Sequence, residues 1–84
     1  MTLTQTQMRT IYDWYFSRDI SLFSNWTQRK AIDLAMLCKD YAKSFTTNYE
    51  FWGITVGNGK PAKMNKNVLL TLSSDLIDFK SDIL

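Results

Sequence analysis

Ala31-Ile32-Asp33-Leu34-Ala35-Met36-Leu37-Cys38-Lys39-Asp40-Tyr41-Ala42-Lys43-Ser44-Phe45 is the stretch that decides the fold. Ala31, Leu34, Ala35, Cys38, Tyr41, Ala42 and Phe45 recur at the spacing of one face of an α-helix. Arg29, Lys30, Asp33, Lys39, Asp40 and Lys43 fall mostly on the other side. The pattern predicts a long helix over 26–45, with Ser24 or Asn25 as its N-cap. Thr46-Thr47-Asn48 stops it, because these side chains compete for backbone hydrogen bonds.

Upstream, Thr4 and Gln7 have the spacing of a capping box and open a helix over 5–18. Met8, Ile11, Tyr15 and Arg18 share its expected core stripe, flanked by Tyr12, Phe16 and Asp19. Asp19 to Asn25 reads as a connector. Downstream, Tyr49 to Val56 is rich in β-formers and runs into Gly57-Asn58-Gly59, where Asn-Gly signals a tight hairpin. The return strand, Lys60 to Lys66, is weak, and Pro61 makes it an edge or a loop. Two readings compete from Asn67 onward. Val68 to Leu72 suits a strand before a short helix capped by Ser73 or Ser74, whereas Leu69, Leu72, Leu76, Phe79 and Ile83 suit a helix over 67–82. The helix accounts for more residues and is preferred. The expected fold is therefore mainly α (α+β), with two long helices, a β-hairpin and a C-terminal helix in one domain over 1–84.

Twelve of the 84 residues are aromatic (three Trp, four Tyr, five Phe), while histidine is absent and cysteine occurs once. Without histidine, Ser-His-Asp, Cys-His and His-based metal sites cannot be built from this chain. The single Cys38 excludes an internal disulfide and fits a reducing cytoplasm. The start, Met1 to Gln5, has no signal-peptide pattern, and the longest apolar run, Leu34 to Cys38, is far too short to span a membrane. The Asn25-Trp26-Thr27 sequon is read as a chance match.

Net charge is +2 and unevenly spread: residues 25–48 and 49–67 each carry +2, and residues 68–84 carry −2. Lys60, Lys63 and Lys66 recur at every third position and are candidate phosphate contacts, as are Arg29 and Lys30 on the basic face of helix two with Lys39 and Lys43. The plainer reading of the lysines is edge-strand protection. Gly57-Asn58-Gly59-Lys60 lacks the spacer and hydroxyl of a phosphate-binding loop. Tyr12, Trp14, Tyr15, Phe16 and Trp26 are more rings than one helix face can bury. Tyr12, Trp14, Phe16 and Trp26 are the candidate partner-binding residues, with Trp14 the first choice. Tyr49, Phe51 and Trp52 could stack bases, but a strand with alternate residues buried is preferred. Asp13 with Asp19, and Asp75 with Asp78 and Asp82, are the only carboxylate clusters, and nothing in the sequence makes either an acid/base pair; the second set is read as the solvent face of the last helix, and Cys38 as a buried small hydrophobe.

The expectation is a small non-catalytic binding protein without cofactor or metal. It would regulate or inhibit a macromolecular partner by protein–protein contact, with a symmetric homodimer as one form. Its composition is shared with accessory proteins that viruses and mobile elements direct at host machinery. The alternative is a small nucleic-acid-binding protein using the basic hairpin and the basic face of helix two. A helix-turn-helix reader does not fit, because helix two is too long and aspartates interrupt its basic face.

Overall fold

Thr4 opens the first helix as the capping box requires: its Oγ1 accepts from the Gln7 amide at 3.1 Å, and its own amide donates to Gln7 Oε1 at 2.9 Å. In the computed structural model, which describes residues 3–56 and 59–81, this helix is α1, Gln5–Ser17. It ends on Arg18 in the left-handed conformation (φ 55°), whose amide donates to the Trp14 carbonyl at 2.7 Å. The Arg18 guanidinium lies 5.2 Å from the rings of both Trp14 and Tyr15, a contact that helps hold a backbone shape non-glycine residues usually avoid.

The expected connector contains a 3-10 turn, Ile20–Phe23, capped by Asp19. Hydrogen bonds from the Ser21 hydroxyl and amide hold the Asp19 carboxyl below the usual carboxylate range. The turn delivers Phe23 into the core, fully buried. Helix α2 is Gln28–Lys43, shorter at both ends than the expected 26–45. Its N-cap is Thr27, whose Oγ1 accepts from the Lys30 amide at 3.1 Å, and neither Ser24 nor Asn25 takes that role. Phe45 lies beyond the last turn but still packs on the core and on Tyr41, with ring centroids 5.6 Å apart.

Strand β1, Tyr49–Val56, pairs antiparallel with β2, Lys60–Asn65. Phe51 faces Lys63 and Thr55 faces Pro61, so β1 carries two more residues than β2 across this interval. An insertion of two preserves the alternation of faces on both sides of the bulge. Trp52 and Ile54 of β1, with Ala62 and Met64 of β2, therefore all point inward. Of the expected Gly57-Asn58-Gly59 turn, Gly57 and Asn58 lie outside the described residues. Gly59 has φ +84°, the conformation for which glycine is suited.

The C-terminal segment is one helix, α3, Lys66–Ser81, and not a strand over 68–72. Its first amide donates to the Asn48 carbonyl at 2.8 Å, which closes the open end of the hairpin. Leu69, Leu72 and Leu76 are fully buried, and α3 lies along α2 in the broadest contact between helices. The inner sheet face, α1 and the 3-10 turn complete one core, drawing Ile11, Phe23, Leu34, Trp52 and Leu72 together. Lys80 is buried among them, and its Nζ donates to the carbonyls of Trp26 (2.8 Å) and Ser24 (3.4 Å). Among the described residues no helix is long and apolar enough to cross a membrane.

Candidate binding surfaces

The core decides which rings remain for a partner. On α1 the buried residues are Ile11, Tyr12 and Trp14, with Met8 and Tyr15 only partly covered. Trp14 was the expected contact residue, and its 2% exposure corrects that expectation. The helix is rotated toward the Trp14 flank because the larger indole fills more of the space over the core. Tyr12 is also covered and is not a free ring. Its ring centroid lies 4.8 Å from that of Phe16, which stays 69% exposed at the end of α1. Of the four expected contact residues, Phe16 is thus open, Trp26 half-buried, and Tyr12 and Trp14 belong to the core.

Trp26 stands just before α2, edge-on to Phe23 at 4.8 Å, with Lys30 Nζ 4.2 Å from its ring centroid. Trp26 and Lys30 form one wall of an open groove of about 590 Å³ between α1 and the first half of α2. Leu34 and Leu37 give the groove its apolar floor; Thr6, Gln7 and Thr10 form the α1 wall. Arg29 and Lys30 stand on the α2 side, with Asp33 the only carboxylate among the described lining residues. The structure therefore unites Trp26 with Arg29 and Lys30, which the sequence had placed in separate groups. The threonine wall had no detectable signal, since Thr6 and Thr10 look like solvent-facing positions of an amphipathic helix.

The three hairpin lysines are not brought together. Period three does not match the two-residue alternation of a strand. Lys63 stands on the outer face, Lys60 is exposed at the turn end of β2, and Lys66 is the half-buried first residue of α3. Lys63 Nζ lies 4.0 Å from the Tyr49 ring centroid. Tyr49 and Phe51 also point outward, 41% and 63% exposed.

A smaller depression of about 350 Å³, where α1 ends near α3, is lined by Trp14, Arg18, Asp75, Asp78 and others. Asp75, half-buried, and Asp78, exposed, border this hollow with Arg18; Asp82 lies outside the described residues. Cys38 is fully buried, as expected, and burial pushes its thiol up to about 12. Among the described residues no cluster of His, Cys, Asp and Glu could hold a metal ion. No protein-family model matches the chain, and neither a curated protein nor a solved structure is similar to it.

Proposed function

We propose that the chain is a non-catalytic, cytoplasmic binding protein that regulates or inhibits a macromolecular partner by protein–protein contact. The observation that carries this reading is the groove between α1 and α2, an apolar floor of Leu34 and Leu37 edged by Trp26 and by threonines. Clefts of this volume with apolar floors and a few polar groups are the usual form of a binding site. An amphipathic helix of the partner is the occupant, since its apolar stripe fits such a groove. Arg29 and Lys30 against a lone Asp33 select a partner helix with acidic flanks.

Lys30→Glu separates binding from folding. Lys30 is three residues after the N-cap Thr27, so a glutamate there would complete a capping box and suit the helix dipole. The variant should keep or raise its stability by about 0.5 kcal/mol. Affinity capture from host extract should nevertheless lose the partner that the wild type retains. Retention of the same partner by Lys30→Glu at unchanged yield would refute the groove as its seat.

A further inference from the structure

We infer that the outer face of the hairpin is a second binding site, for single-stranded nucleic acid, built on Tyr49, Phe51 and Lys63. It is independent of the groove. Outward positions of the two strands are Tyr49, Phe51, Gly53 and Thr55 on β1, and Pro61, Lys63 and Asn65 on β2. None of them is acidic. The hairpin's one carboxylate, Glu50, points the other way and accepts a hydrogen bond from the Tyr41 hydroxyl.

Two rings on one strand face, at i and i+2, are left in water although the neighbouring Trp52 and Ile54 are buried to 4% exposure. Their centroids are 5.8 Å apart at an interplanar angle of 87°. Beside Phe51, a Cβ added at Gly53 would meet nothing within 4 Å, so a flat group has room to lie against the strand there. Lys63 lies opposite Phe51 in the register and over Tyr49, and is the cation of this face.

This combination selects the ligand. An apolar peptide would use the rings but leave Lys63 unmatched. An acidic peptide would use Lys63 but gain little from two ring faces. A single strand offers both, with unpaired bases that stack on aromatic side chains and a phosphate at each step for lysine. A duplex hides its base faces and can meet only Lys63.

Fluorescence anisotropy with labelled 12-nucleotide oligo(dT) and oligo(U), and a duplex of the same length, tests this from 20 to 200 mM salt. One phosphate contact, at Lys63, predicts a log–log salt slope of about −0.7 for a single strand. The duplex should bind at least tenfold more weakly. Phe51→Ala should weaken single-strand binding by roughly five- to 150-fold, the cost of one lost stack, with the slope unchanged. Lys63→Gln should reduce the slope by about 0.7. Phe16→Ala, which removes a comparably exposed ring from α1, and Lys30→Glu in the groove should leave affinity within about twofold. The assignment is overturned by no binding at 20 mM salt, by equal binding of the duplex, or by Phe51→Ala and Phe16→Ala having the same effect.

Discussion

Trp14 and Phe16 are two residues apart on one helix, yet 2% and 69% exposed. Trp14→Ala removes a ring from the filled core and should cost about 3–5 kcal/mol, enough to unfold a domain this small. Phe16→Ala should stay within about 0.5 kcal/mol of wild type. Urea denaturation of both variants checks the pair; equal losses would mean that the phase of α1 is wrong. Tyr41 gives a prediction with pH. Burial first, and then the Glu50 carboxylate that accepts its hydrogen bond, pushes its hydroxyl from 10.0 up to about 12. The fold thus favours the protonated phenol, a stabilisation present in full below pH 10.0 and lost as pH rises toward about 12. Cys38, raised by burial from 9.0 to about 12, loses its share from pH 9.0 upward. Thermal melts between pH 9 and 12 should show Tyr41→Phe losing less stability than wild type with rising pH. An identical decline in both proteins would contradict the Tyr41–Glu50 account.

Elements differ in how plainly the sequence announced them. Helix α2 was legible because its small and branched apolar residues keep one period and its charges stay off the buried side. Phe45 extended that stripe past the true helix end, since tertiary packing, and not helical geometry, covers it. Thr27 as the cap was obscured by two competing candidates just before it. In α1, rings at four near-consecutive positions blur the period, so side-chain volume, not spacing, decided the phase. Lys80 was unreadable as a buried residue. Its burial depends on the carbonyls of Ser24 and Trp26, more than fifty residues away in sequence. The hairpin was legible from Asn58-Gly59, but the bulge that sets which β1 residues oppose β2 was not. Gly59 carries the element's sharpest demand, with φ +84°. Gly59→Val should destabilise by about 1 kcal/mol or more, because a β-branched residue resists positive φ. The added Cβ itself would meet nothing within 4 Å, so the loss would be conformational and not steric. A variant of unchanged stability, measured by urea denaturation, would show that the turn relaxes without cost.

At the scale of the whole molecule, 39 × 27 × 18 Å, the fold leaves two different surfaces open. One is the groove between α1 and α2; the other is the outer face of the hairpin. Their existence was not legible in the sequence. A groove forms where two helices fail to pack closely, and that depends on how both sit on a shared core. The rings were conspicuous, but which of them the core would absorb depended on the rotation of α1 and the alternation of β1. The central claim is that the groove receives a protein partner. Amide chemical-shift mapping tests it most directly, by titrating the 15N-labelled protein with the partner captured in the wild-type experiment. The account predicts perturbations concentrated at Thr6 to Thr10 and Trp26 to Leu37, the two walls and floor of the groove. Perturbations confined to Tyr49 to Asn65, with the groove silent, would contradict it.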